Sequence, residues 1–302
     1  MTENKKFGFV AIIGKPNAGK STLLNSLIKY NLSITSNRPQ TTRNSIKGIL
    51  TENNYQVVFI DTPGFISKQK NKIDSYLNRN ITDAIDSVEA IIYIADVVKL
   101  TKAEEQLDEI ETIKNLNLSV PLIIVLNKID LIKDKRLLLP ITSEITKTNP
   151  NSQVYFTSAL NNIETENLLK GVVALLPNNE FMFPEDTLTD VPEKFIACEF
   201  IREKIFRLTS QEIPYHSAVK MVEWKETDKL LRVYAEILIT KESQKKVIIG
   251  KGGAKIKEIG TAARQKMESF FAIKVYLELR VKVVKKWRDD DAILRETSFL
   301  IE

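Results

Sequence analysis

The chain has 302 residues, 43% hydrophobic and 27% charged, with a net charge of +5. That length suits one large or two ordinary domains, and no run approaches the roughly 18–20 apolar residues that a membrane-spanning helix needs. Cys198 is the only cysteine, so an intrachain disulfide is excluded and a reducing cytosol is expected, and His216, the only histidine, argues against a serine–histidine hydrolase or a histidine-rich zinc site.

The chain opens on MTENKKFGFVAIIG. Its short apolar run leads directly into a glycine loop with no cleavage site, so it reads as a first strand and not as a signal peptide. FGFVAII, YQVVFI, AIIYIA, PLIIVL and QVYFT are apolar runs rich in β-branched residues. Such runs suit a parallel sheet covered on both faces. SIKGILT and YQVVFI, separated by ENN, read as a hairpin. The fold class is therefore α/β, a doubly wound sheet.

GKPNAGKS (14–21) follows the first strand and fits G-x-x-x-x-G-K-[ST]. Gly14 and Gly19 let backbone N–H groups wrap a β-phosphate, while Lys15, Pro16, Asn17 and Ala18 complete the loop. Lys20 reaches the β- and γ-phosphates. Ser21 offers its hydroxyl to Mg²⁺, and Thr22 continues a helix whose positive N-terminus faces the phosphates. Next comes RPQTTRNSIKG (38–48), in which Thr41 or Thr42 is the switch threonine that gives Mg²⁺ a ligand while the γ-phosphate is present. Thr42 is the preferred of the two. Arg43 either serves as an arginine finger in cis or is simply solvated.

DTPG (61–64) ends a strand. Asp61 can hold a water on Mg²⁺, Thr62 and Pro63 shape the turn, and the Gly64 N–H can sense the γ-phosphate. Lys20, Thr42, Asp61 and Gly64 are thus the residues expected to act on the reacting phosphate. Phe65 follows where many small GTPases have a water-orienting glutamine. Unaided hydrolysis is therefore expected to be slow, and Asn17 is either a K⁺ ligand or a loop stabiliser. NKID (127–130) ends another strand: Asp130 can accept from guanine N1 and N2, which adenine cannot supply, and Asn127 and Lys128 brace the base and the phosphate loop. In TSA (157–159), a backbone N–H of Ser158 or Ala159 can meet guanine O6. Four motifs in this order at strand ends indicate a GTPase.

PNNEFMFPEDTLTD (177–190) breaks the pattern and reads as a linker. The expected division is 1–177, a linker at 178–191, and 192–302. In the last part EKFIACEFIREKIFRL reads as a helix. KLLRVYAEILIT alternates with Leu231, Val233, Ala235, Ile237 and Ile239 on one side, and KVYLELRVKVV with Val275, Leu277, Leu279, Val281 and Val283 inward. Between these strands lies a helix–loop–helix carrying IIGKGGAK, whose second helix aligns Ile256, Ile259, Ala263, Met267 and Phe270. Gly250, Lys251, Gly252 and Gly253 form a G-x-x-G loop, the KH arrangement that clamps a nucleic-acid backbone. Lys245, Lys246, Lys255, Lys257 and Arg264 surround it. Residues 241–286 hold 13 Lys and Arg against 4 Asp and Glu, whereas residues 1–180 hold 21 against 19. The positive surplus is either a solvated face or a phosphate-backbone footprint.

A GTPase domain followed by a type II KH domain resembles the Era family of bacterial ribosome-assembly GTPases. The likeness rests on GKPNAGKSTLLN, PQTTR, DTPG, NKID, FPEDTLTD, FIREKIFRLTSQEIPY and QKKVIIGKGGAKIKEIG. Lys286 before Trp287 departs from the family's usual glycine there. The resemblance implies a Mg²⁺-dependent GTP switch whose KH domain binds the 3′ end of 16S rRNA near the anti-Shine–Dalgarno stretch. The GTP state would favour that binding during maturation of the small (30S) subunit. It further implies a cytoplasmic protein with peripheral contact to the inner face of the membrane, and no obligate protein partner. A tRNA-modification GTPase and an RNA-binding module with a purely regulatory nucleotide site are the competing readings.

Overall fold

A computed structural model describes residues 5–35, 42, 44–64, 84–85, 87–116, 118–209, 212–285, 287–290, 293–294 and 297. The chain divides into two compact units: Met1–Ser33, Ser45–Ser67 and Leu77–Asp190 form the first, and Ile34–Asn44, Lys68–Tyr76 and Val191–Glu302 the second. Among the described residues no helix is long and apolar enough to cross a membrane.

The first unit is built on a six-stranded sheet in the order β2-β3-β1-β4-β5-β6. The strands are β1 (Lys6–Ile13), β2 (Ile46–Glu52), β3 (Tyr55–Asp61), β4 (Ala90–Asp96), β5 (Leu122–Asn127) and β6 (Gln153–Thr157). All neighbours pair in parallel except β2 and β3, which form the antiparallel hairpin expected from the sequence. Ile13, Ile91, Tyr93, Ile124 and Leu126 form one buried face. Helices α3 (Ala103–Lys114) and α4 (Leu138–Thr148) cover that face with Ile110, Ile113, Leu138, Ile141 and Ile145. Helices α1 (Lys20–Leu27) and α5 (Thr165–Leu175) pack against each other and bury Leu23, Leu24, Leu27, Leu168 and Val172. Each fully buried side chain of this kind stabilises the fold by about 1.5–3 kcal/mol. The short helix α2 (Val97–Leu100) follows β4, capped by the Asp96 carboxylate.

Residues 178–190, which read as a linker, belong to the first unit and are fastened along its edge. The buried Gln56 side chain accepts from Met182 N and Phe183 N at 3.0 and 2.9 Å and donates to Phe183 O at 2.9 Å. Further along, Ile49 N donates to Leu188 O and Thr189 Oγ1 to Lys47 O. Phe181 and Phe183 pack on Phe7, Ile49 and Val58.

The second unit contains α6 (Glu193–Leu208), a hairpin of β7 (Ala218–Thr227) and β8 (Leu230–Ile239), then α7 (Glu242–Ile249), α8 (Ala254–Phe271) and β9 (Lys274–Val283). The sheet order is β7-β8-β9, with β9 parallel to β8. Leu231, Val233, Ala235, Ile237 and Ile239 are buried, as their alternation indicates. On β9 only Val275 is buried; Leu277, Leu279, Val281 and Val283 are half-buried, because β9 lies at the sheet edge. Strand β7 is absent from the sequence reading.

Candidate functional site

The phosphate loop runs from β1 into α1. Gly14 has φ +149° and Gly19 φ +109°. A Cβ at Gly14 would lie 2.3 Å from Ile94 O, and one at Gly19 2.3 Å from Asn127 Nδ2. Both positions therefore exclude a side chain on backbone conformation and on space. Asn17 also adopts a left-handed conformation, φ 65°. Lys20 is buried, and its Nζ donates to Gly14 O at 2.9 Å and Lys15 O at 3.1 Å. Burial pulls this ammonium down to about 8, against the pull of the Asp61 and Glu109 carboxylates. An anion in the loop would pull it back up.

Ser21 Oγ donates to Asp61 Oδ2 at 2.7 Å, so the loop and DTPG present two hard oxygen donors side by side. That donor set fits Mg²⁺. Gly64 approaches the loop so closely that a Cβ there would lie 2.9 Å from Pro16. Thr62 Oγ1 donates to Ile12 O at 2.8 Å, and Thr62 and Pro63 are buried. Lys15, Pro16 and Thr22 are half-buried, and Ala18 is buried. Thr42 is buried and falls in segment 34–44, grouped with the second unit. Thr41, Arg43, Phe65 and Lys286 lie outside the described residues.

Asn127 joins the motifs. Its Nδ2 donates to Ala18 O at 2.9 Å, and its Oδ1 accepts from Ala159 N at 2.9 Å and Thr157 Oγ1 at 3.2 Å. Lys128, at φ 69°, donates to Asn17 O at 2.8 Å and to Asp96 Oδ2 at 2.6 Å. Asp130 is exposed in the short 3-10 turn Ile129–Leu131. Ser158 is buried, and its N–H donates to Ile163 O. Both N–H groups expected to meet guanine O6 thus already have protein acceptors. A base there would share the Ala159 donor with Asn127.

In the second unit, Gly250 (φ 72°), Gly252 (φ 58°) and Gly253 (φ 79°) form the turn between α7 and α8. A Cβ on Gly250 would lie 2.7 Å from Lys255 Cβ, whereas Gly252 and Gly253 face open space. The loop is therefore closed on one side and accessible on the other. Lys246, Lys251 and Lys257 are exposed and Lys245 half-buried. Lys255 pairs with Glu258 at 2.7 Å and Arg264 with Glu268 at 3.3 Å, so these two charges are partly neutralised locally. Both helices pack against β9 and its half-buried apolar row.

Residues 9–128 match the family model described as "50S ribosome-binding GTPase", and residues 212–288 match that of the KH domain. GTPase Era of Neisseria meningitidis serogroup A is 40% identical over 291 residues, 96% of this chain and 93% of that protein. GTPase Era of Coxiella burnetii (strain Dugway 5J108-111) is 40% identical over 292 residues, 97% of each chain. The chain belongs to the Era family of GTPases. A crystal structure of Era in complex with MgGDPNP and nucleotides 1506–1542 of 16S ribosomal RNA superposes with a TM-score of 0.91 at 37% identity, covering 98% of this chain and 100% of that one. A tyrosine-to-alanine variant of Aquifex aeolicus Era bound to GDP·AlF4⁻ superposes equally well, with the same TM-score, identity and coverage.

The Era motifs account for the residues expected to meet a nucleotide, but not for those that pack behind them. Asp96, at the end of β4, orients Lys128; a carboxylate closing the run AIIYIAD was its only sequence signal. Asp108 and Glu109 on α3 both hold Lys15, and no motif spacing marks them.

Proposed function

We propose that this chain is a GTP-hydrolysing switch that binds 16S rRNA near its 3′ end through the KH loop and assists maturation of the 30S subunit. The observation that carries the reading is the bracing of Ala18 and Ala159 by one side chain, Asn127. It ties the guanine end of the site to the phosphate end in a chain that also carries an open G-x-x-G loop. Asp130 selects guanine, and the loop N–H groups and Lys20 hold the phosphates. Ser21 and, in the GTP state, Thr42 would hold Mg²⁺, with Asp61 holding one of its waters; the ion when bound offsets charge on the β- and γ-phosphates. Gly64 N–H senses the γ-phosphate. Asn17 would hold K⁺ in place of an arginine finger. Lys251 and the glycine backbone take RNA phosphates, with Lys245, Lys246 and Lys257 adding charge.

The test is binding of an RNA carrying the 3′-terminal nucleotides of 16S rRNA to the full chain, with Mg²⁺ and either GDP or a non-hydrolysable GTP analogue. Tighter binding with the analogue, and weak binding of an unrelated RNA, is the expected result. Equal affinity for both RNAs in both nucleotide states would remove the switch from the proposal.

A further inference from the structure

We propose that Glu109 is a positioning residue for the nucleotide: from α3 it fixes Lys15, and through the Lys15 backbone it fixes the phosphate loop and Lys20. This rests on the reading of the first unit as a GTPase centre.

Glu109 is 5% exposed, and a carboxylate so far from water needs a partner on each oxygen. It has both. Tyr93 OH donates to Oε1 at 2.7 Å, and Lys15 Nζ lies 2.8 Å from Oε2. Tyr93 is fully buried on β4 and lies opposite Ile13, the last residue of β1, in the sheet register. The anchor is therefore part of the rigid sheet beside the start of the loop. Lys15 is held at its other end too. Its carbonyl accepts from Lys20 Nζ at 3.1 Å and from Ala18 N at 3.3 Å. One residue thus connects a buried carboxylate to the two groups that shape the phosphate cradle. Burial alone would push the Lys15 ammonium down, but hydrogen bonds to Asp108 and Glu109 and their charges hold it above the ordinary lysine value. Asp108 also holds the ammonium, but its side chain is 74% exposed and screened by solvent, which leaves Glu109 as the buried anchor of the pair.

A loop pre-shaped for the β-phosphate serves GDP and GTP alike. Glu109→Gln in the full chain should weaken both by about tenfold, and leave kcat at saturating GTP within about threefold. Lys15→Gln should weaken GDP and GTP to the same extent. The double variant should be no weaker than either single one, because the two side chains act as a unit. Tyr93→Phe removes only the hydroxyl that pins Glu109 and should give about a threefold loss; it tests the same chain of contacts should Glu109→Gln fail to fold. A lowered melting temperature with wild-type affinity for GDP and GTP would reduce Glu109 to a structural role and overturn the proposal. So would losses that add in the double variant. Failure of the wild type to bind GTP would instead overturn the GTPase reading itself.

Discussion

Asp130 is exposed in the middle of a one-turn helix whose start is fixed by Lys128 in a left-handed conformation. A carboxylate so placed accepts two hydrogen bonds and donates none. Asp130→Asn should therefore lose GTP and gain xanthosine triphosphate, as measured by competition for the site; equal GTP affinity in variant and wild type would refute the assignment. A second carboxylate acts on stability. Glu203 is buried on α6 and ringed by Lys266, Lys204 and Arg207. Burial alone would raise its pKa, but the Lys266 charge and hydrogen bond, with Lys204 and Arg207, bring it below 4.5. Its folded-state value is depressed, so its contribution is complete above about pH 4.5 and is lost as pH falls through the folded value. Glu203→Gln should cost roughly 2–3 kcal/mol at neutral pH and flatten the acid limb of stability, as read by denaturant melts across pH. These two residues differ in how they could be found. Asp130 belongs to a fixed spacing, NKID, that chemistry requires. Glu203 and Glu109 acquire their roles from partners 63 and 94 residues away, and no local pattern encodes such meetings.

At the scale of elements, the six strands of the first unit were legible because each is a short apolar run closed by a turn or a glycine. Strand β7 was not. Its ladder with β8 shifts between Met221 and Glu223, which interrupts the period-2 pattern, and its second half is exposed and charged. Segment 178–190 shows a different limit. It has no periodicity because it forms neither helix nor strand, yet it is fastened by side-chain hydrogen bonds that composition cannot reveal. Gln56 supplies the central fastening on β3, with contacts to Met182, Phe183 and Thr51. Gln56→Ala would leave the Met182 and Phe183 backbone groups without these partners. A loss of about 2–4 kcal/mol is expected. Limited proteolysis should then cut within 178–190 faster than in the wild type. An unchanged cleavage rate would show that Phe181 and Phe183 packing alone holds the segment.

At the scale of the whole molecule, two glycine-rich loops stand on two separate cores, and the proposed function gives each a different phosphate to hold. The first is enclosed: Gly14 and Gly19 leave no room for a Cβ beside Ile94 and Asn127, and Gly64 closes over Pro16, a shape that suits one nucleotide. The second is open over Gly252 and Gly253 and fits a chain that passes across it. The two functions should therefore separate by mutation. Lys251→Asp with Gly252→Asp places two negative charges where RNA phosphates would lie. The choice avoids Gly250, where any side chain would collide with Lys255. Aspartate at φ 58° costs about 1–2 kcal/mol of backbone strain, in open space, so the domain should still fold. Guanine nucleotide binding and unaided hydrolysis should stay at wild-type levels. Affinity for an RNA bearing the 16S 3′ end should fall sharply, and any RNA-stimulated hydrolysis should vanish with it. Wild-type RNA binding should weaken with salt by about 0.7 logarithmic units of affinity per logarithmic unit of salt for each phosphate contacted, and the variant's slope should be shallower. Unchanged RNA affinity would assign the RNA to Lys245, Lys246 and Lys257 and leave the glycine loop as a turn.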